Sequence, residues 1–279
     1  MKTLYVSDLD GTLLGRNERT SAYTNHIINS LVEKGMIFSY ATARSFHTAR
    51  KAAKGLNASF PLIIYNGAMV VDNTDGAFLI KNFFDPEVKD VIEDLVGKGV
   101  YPIVYSFIAG EEKFSYIREK CSTEMREFLD SRKNDIRDHP VYCERDLCLG
   151  EIFYITCIDA KEKLEPLYKK YRETYHCVYQ EDLYTGYQWL EIMPKAASKA
   201  NAVRQLKERL GCDKVVVFGD GKNDIDLFEM ADAAYAVSNA VEELKQIATA
   251  VIDNNDNDGV AKWLREFADL SNCGKGSEM

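Results

Sequence analysis

Short apolar blocks alternate with polar ones along the first third of the chain. Leu4, Tyr5 and Val6 form the first block, which ends against Asp8-Leu9-Asp10-Gly11-Thr12-Leu13-Leu14. It reads as a strand with both carboxylates at its C-terminal end. After a polar stretch to Thr20, a helix is expected over about 21–34, with Thr20 or Ser21 as its cap and Gly35 as its stop. Residues 36–41 form a second apolar run, ending in Thr42-Ala43-Arg44-Ser45, where another helix starts. Residues 61–65 form a third, ending in Asn66-Gly67. Strand, helix, strand, helix, strand at this spacing predicts βαβ units and a parallel sheet. Residues 69–84 predict a hairpin that turns at Asp75-Gly76.

The texture changes at Asp85-Pro86-Glu87, which combines a helix cap, a first-turn proline and an acid. Longer β-rich runs follow at 101–107, 113–118, 151–158 and 177–183, with helices over about 121–133 and 161–174. The sheet pattern of the first third is expected to return at 188–193. A helix at 198–210 stopped by Gly211 comes next, then the valine-rich run 214–218, which leads into Gly219-Asp220-Gly221-Lys222-Asn223-Asp224. Short strands at 234–237 and 250–252, a last helix over about 260–270 and a loose tail complete the pattern. The fold class is α/β: a doubly wound, Rossmann-like parallel-sheet core (1–83 and 187–279) with an inserted α+β domain (84–186).

Composition narrows the function classes. A chain of 279 residues, 46% hydrophobic and 28% charged, suits one large globular domain or two smaller ones. A net charge of −9 argues against a broad nucleic-acid or anionic-membrane surface. No stretch reaches membrane-spanning length, and the N-terminal apolar run is too short for a signal-peptide core. The seven cysteines form no C-x-x-C pair, which suggests reduced thiols in a cytoplasmic protein. Four scattered histidines offer no zinc cluster, and the sequon at Asn57 carries no expected meaning.

The chemistry gathers at strand ends, the edge of an open α/β sheet where ligands bind. Asp8 and Asp10 suit a hard cation such as Mg²⁺ or a nucleophilic carboxylate. An EF-hand reading fails, because its required Gly and Glu positions hold Leu13 and Arg19. Thr42 ends the second strand, and Asp220 and Asp224 follow the run at 214–218. If these strands are neighbours, several carboxylates, a hydroxyl and a divalent metal share one edge. Plainer readings stand beside each residue. Thr42 suits a helix cap, Asp220 and Asp224 suit a loop and first turn, and Lys199 and Arg44 suit solvated surface positions. Asn254-Asn255-Asp256-Asn257-Asp258-Gly259 starts like a calcium loop, but Arg265 replaces the required Glu, so a solvated acidic turn is expected.

Taken jointly, DLDGTLL, Thr42, Lys199 and GDGKND (219–224) match in order and spacing the four motifs of the haloacid dehalogenase superfamily, which the chain resembles. YNGA at 65–68, the large insert and NDGVA at 257–261 resemble its Cof-type group with a class II α/β cap. The resemblance implies that Asp8 is the nucleophile and Asp10 the general acid and base. It also implies Mg²⁺ held by Asp8, the backbone carbonyl of Asp10, and Asp220, with Asp224 alongside. Thr42 and Lys199 would hold the phosphoryl oxygens and Asn223 would orient its loop. Ala43, Arg44, Asn66 and Gly67 complete the expected substrate surface.

Ala43 replaces the usual glycine of the second motif, Phe46 a frequent proline and Ala200 a common glycine; none removes a functional group. The implied activity is a Mg²⁺-dependent phosphatase acting on a small phosphorylated metabolite such as a sugar phosphate, pyridoxal phosphate or flavin mononucleotide. The cap would close over the substrate and exclude bulk water. A sugar-phosphate phosphomutase and a non-catalytic phosphosugar-binding module are the alternatives. A monomer or small homo-oligomer is expected, with no nucleic-acid or membrane partner. Tyr184, Tyr187 and Trp189 either line a pocket or simply pack.

Overall fold

The structure is a computed structural model that describes residues 1–182 and 185–268. It divides into two units, one built from Met1–Lys81 with the chain from Ser198 onward, the other from Asn82–Ala197.

The first unit holds an eight-stranded sheet. Its order is Ala250–Ile252, Ala233–Val237, Lys214–Gly219, Thr3–Asp8, Ile37–Ala41, Pro61–Ile64, Met69–Asp72 and Phe78–Lys81. The first six run parallel and the last two antiparallel. Thr3–Asp8 lies between Lys214–Gly219 and Ile37–Ala41, with Ser7 level with Phe218 and Asp8 level with Ala41. The three strand ends flagged in the sequence therefore finish at one level of one sheet. Leu4, Val6, Val215 and Val217 are fully buried, as near-continuous apolar runs in a parallel sheet require.

Three helices of this unit start where serines cap them. Ser21 accepts the Thr24 N–H before Ala22–Glu33, Ser45 the Thr48 N–H before Phe46–Ala52, and Ser198 the Asn201 N–H before Lys199–Leu210. The cap of Phe46–Ala52 is thus Ser45, and the alternative capping role for Thr42 falls away.

The second unit has a six-stranded sheet of its own. The order is His176–Glu181, Gln188–Met193, Glu151–Ile158, Ile103–Ile108, Glu111–Tyr116 and Asp138–Pro140. Helices Val88–Gly97 and Lys161–Tyr171 bury Val91, Ile92, Leu95, Leu164 and Leu167 against Ile155, Cys157, Leu190 and Ile192 of the sheet. Thr123–Ser131 is the third α-helix among its described residues.

Two sequence expectations change here. Gln188–Met193 belongs to this second sheet, paired antiparallel with His176–Glu181 and Glu151–Ile158, not to the core. The unit accordingly runs from 82 to 197 instead of from 84 to 186. The physical reason is the short connection: six residues separate Glu181 from Gln188, and a strand leaving so short a connection pairs with the strand before it. The helix expected at Asp85 starts three residues later, at Val88, because 85–87 form a turn closed by the Val88 N–H on the Asp85 carbonyl.

The expected end of the 177–183 run, Tyr184, the end of the last helix and the tail lie outside the described residues. The last helix is described as Gly259–Phe267. No described helix is long and apolar enough to cross a membrane. Trp189 packs edge-on against Phe128 and the Tyr187 hydroxyl donates to Glu127, so both have neighbours within their own unit.

Candidate active site

Four short-range placements build the site. Strand Thr3–Asp8 ends on Asp8, and Lys214–Gly219 beside it leads to Asp220. The turn at Lys222–Asp224 returns Asp224 toward both, and the capped start of Lys199–Leu210 delivers Lys199. Lys199 is only 3% exposed and Asp224 is fully buried, so neither is a solvated surface charge. The Lys199 ammonium donates to Asp8 Oδ1 at 2.5 Å and to Asp224 Oδ1 at 2.8 Å. The other oxygen of Asp224 accepts the backbone N–H groups of Asp220 and Gly221 at 3.1 and 3.2 Å. Asp220 Oδ1 accepts the Thr12 hydroxyl at 2.8 Å.

Gly11 is at φ +77°, and a Cβ there would lie 2.3 Å from Asp220 Oδ2. Any side chain at position 11 would displace that carboxylate, so glycine is required both by the left-handed backbone and by the close approach.

The donor set fits a hard divalent cation. Carboxylate oxygens of Asp8, Asp220 and Asp224 lie within 4.8 Å of one another, an all-oxygen set of the kind Mg²⁺ takes. Lys199 brings one positive charge against three carboxylates. Burial, together with the charges of Asp224, Asp220 and Asp10, pushes the Asp8 carboxyl well above its ordinary range, although Lys199 pulls the other way. Burial and Asp224 push Asp220 up to about 7, against the Thr12 hydrogen bond and Lys199. Burial would lower Lys199, but Asp224 and Asp8 outweigh it and hold the ammonium charged.

These shifts set a stability profile. The unfolded chain loses the Asp220 proton near 3.8, while the metal-free native state keeps it to about 7. Between those values the native state binds more protons, so its stability falls as pH rises from about 4 to about 7. Saturating Mg²⁺, if held by these carboxylates, is expected to displace that proton and flatten the slope. Melting temperatures across this window, with Mg²⁺ and with chelator, check it; a metal-free protein that gains stability from pH 5 to pH 7 would contradict it.

Asp10 behaves differently from the other three. Its side chain stands outside the carboxylate cluster and pairs with Arg44, whose Nε donates at 2.9 Å and Nη2 at 2.5 Å. Arg44 Nη2 also donates to Glu18 at 3.1 Å. Any metal contact of Asp10 is left to its backbone carbonyl. Thr42 is buried beside this pair, and its hydroxyl accepts the Arg44 N–H at 3.1 Å; Ala43 between them is half-buried. Asn66 is buried in left-handed backbone at φ +51°. Gly67, at φ +96°, passes so close to the start of the Lys199 helix that a Cβ would meet the Ser198 carbonyl oxygen at 2.2 Å. The structure therefore gives Gly67 a packing role beside Lys199. Asn223 lies over Gly221, where an added Cβ would meet its Oδ1 at 2.6 Å.

Thr12 and Glu18 join the site without having been flagged in the sequence. The acidic turn expected at Asn254–Gly259 is present, with Asp256 and Asn257 exposed, and it also fastens the N-terminal turn. Asn255 Nδ2 donates to the Leu14 carbonyl, Asp256 accepts the Arg16 N–H, and Asp258 accepts the hydroxyls of Ser21 and Thr24. Asp258 itself adopts φ +57°. Thr12 was within reach of a sequence argument, since it lies in the same heptapeptide as Asp8. Glu18 acts through a single contact to Arg44 that leaves no local pattern.

Known proteins match along nearly the whole chain. The family model of haloacid dehalogenase-like hydrolases covers residues 5–264. A 5-amino-6-(5-phospho-D-ribitylamino)uracil phosphatase of Bacillus subtilis is 26% identical over 96% of this chain and 98% of its own length. A phosphoglycolate phosphatase of Methanopyrus kandleri is 27% identical over 96% and 97%. A crystal structure from Thermotoga maritima superposes with a TM-score of 0.76 at 28% identity, covering 96% of this chain and 98% of that one. With the carboxylate cluster, the buried lysine and the parallel sheet already in place, the chain belongs to the haloacid dehalogenase-like hydrolase family.

Proposed function

We propose that the chain is a Mg²⁺-dependent phosphatase that hydrolyses a small phosphate monoester through an aspartyl-phosphate on Asp8. The observation that carries this reading is the placement of Asp8 at a strand end. It is buried, with one oxygen held by Lys199 and two further carboxylates within reach of the same cation. Lys199 holds one carboxylate oxygen of Asp8, and the other would attack phosphorus. Asp8, Asp220 and Asp224 would hold Mg²⁺, which neutralises charge on the phosphoryl oxygens when bound. Lys199 and the Thr42 hydroxyl steady the same oxygens. Asp10 delivers a proton to the leaving oxygen and then takes one from the attacking water. For that, Arg44 must release Asp10, and the incoming phosphoryl group offers its guanidinium an alternative anion.

The names of the two curated relatives denote phosphate monoesters of small metabolites, one a ribityl compound and one a short hydroxy acid. A small, polar monoester is the class assigned to this chain. Presence of Asp8, Asp10, Lys199 and Asp220 together supports turnover over mere binding.

The test is phosphate release from a panel of sugar, cofactor and short-acid monoesters, with Mg²⁺ and with chelator. Removal of divalent metal should lower release by at least about 10³-fold, because the crowded carboxylates then repel the phosphoryl group. Full activity in excess chelator would overturn the metal assignment. Return of the phosphoryl group to substrate without release would mark a mutase.

A further inference from the structure

Asn239 and Asn255 lie far in sequence from the Asp8–Leu14 turn, yet both bind its backbone. Asn239 Nδ2 donates to the Gly11 carbonyl at 2.7 Å, and Asn255 Nδ2 donates to the Leu14 carbonyl at 2.8 Å. The two are linked, since the Asn255 backbone N–H donates to Asn239 Oδ1 at 3.1 Å. That link settles which way the Asn239 amide points. A backbone N–H only donates and a carbonyl only accepts, so Oδ1 must face Asn255 and the NH₂ must face Gly11. Two residues on, the Val241 N–H donates to the Asp220 backbone carbonyl at 2.9 Å. The segment 239–241 thus grips both partners of one tight contact: Gly11, and the carboxylate residue that a Cβ on Gly11 would strike at 2.3 Å.

We propose that Asn239, oriented by Asn255, is a positioning residue that sets the separation between the Asp10–Gly11 backbone and Asp220, and thereby the affinity for the divalent cation. The proposal rests on the metal reading above. Both amides are near the surface, so each hydrogen bond adds little to folding. Their leverage is geometric: Asn239 holds the Gly11 carbonyl while Val241 holds the backbone of Asp220, whose carboxylate lies against Gly11. Loss of the donor lets the turn drift while every ligand atom stays present. Partners that orient ligands in this way typically change metal affinity or activity by about 10- to 100-fold.

The experiment compares wild type, Asn239→Asp, Asn239→Ala and Thr24→Val. Asn239→Asp keeps the shape but sets an acceptor against the Gly11 carbonyl. Thr24→Val removes a different fastening bond of the same region, the one to Asp258 at 2.8 Å, without touching Gly11 or Asp220. Mg²⁺ binding is measured by isothermal titration without substrate, alongside the Mg²⁺ dependence of kcat, KM and the metal-free melting temperature. Both Asn239 variants should weaken Mg²⁺ binding by about tenfold or more, with KM within about threefold of wild type. Thr24→Val should bind Mg²⁺ like wild type. Unchanged Mg²⁺ affinity in both Asn239 variants overturns the proposal. Equal weakening in Thr24→Val overturns it too, by reducing Asn239 to general loop fastening. A wild type that binds no Mg²⁺ sinks the metal reading itself, an outcome the titration separates from the other two.

Discussion

Asp8→Asn is expected to lower kcat by about 10⁴-fold or more and to leave a folded protein. The amide nitrogen or oxygen cannot form a stable phosphoryl-enzyme, and no neighbouring carboxylate can take over. Asp224 is held by Lys199 and two backbone N–H groups, and Asp220 by Thr12. The fold survives because the substitution removes one negative charge from a crowded, buried set. Lys199 keeps Asp224 as its counter-ion at 2.8 Å. The metal-free variant should accordingly melt no lower than metal-free wild type. Phosphate release and the melting curve check both halves. Turnover within tenfold of wild type, in a preparation free of wild-type enzyme, would remove Asp8 from the nucleophile role.

Lys199→Met should cost both activity and stability, which separates it from the Asp8 variant. The ammonium is 3% exposed and bridges Asp8 and Asp224, so its removal leaves two buried carboxylates facing each other. Breaking a buried pair by deleting one partner costs about 3–5 kcal/mol. In a unit of this size the melting temperature should fall by about 10 °C. Loss of the cation proposed to steady the phosphoryl oxygens should lower kcat by about 10²–10³-fold. Mg²⁺ replaces part of the missing charge and should raise the melting temperature of Lys199→Met more than that of wild type. A variant as stable as wild type without metal would show that the bridge carries no weight. Lys199→Arg should not restore activity, because a planar guanidinium does not fit the position of a compact ammonium between two buried carboxylates.

Most of the candidate site was legible because parallel sheets concentrate chemistry at strand ends. An apolar run followed at once by Asp8, Thr42 or Asp220 announces itself locally, and the βαβ order makes those ends neighbours. The plainer alternatives for Thr42 and Lys199 needed coordinates to dismiss: Ser45 takes the cap, and burial removes the solvated lysine. Gln188–Met193 was misplaced because its apolar run suits either sheet, and only the pairing of Cys177 with Ile192 and Leu190 with Cys157 decides between them. The Arg44 grip on Asp10 and the Asn239 grip on Gly11 were illegible for another reason. Each is one side-chain contact across 34 or 228 residues, and no period or motif marks such a pair.

The central pairing of the first unit also governs how the chain is made. Thr3–Asp8 takes Lys214–Gly219 as its neighbour, and every residue of 82–197 emerges from the ribosome between them. At typical synthesis rates of about 5–20 residues per second, the open edge of the first strand waits about 10–40 s for its partner. During that interval Leu4, Tyr5 and Val6 form an unpaired apolar edge, the kind that other chains can join. The inserted unit carries its own sheet and its own apolar cluster. That cluster can be buried during the wait, whereas the N-terminal strand cannot complete its pairing until Lys214–Gly219 emerges.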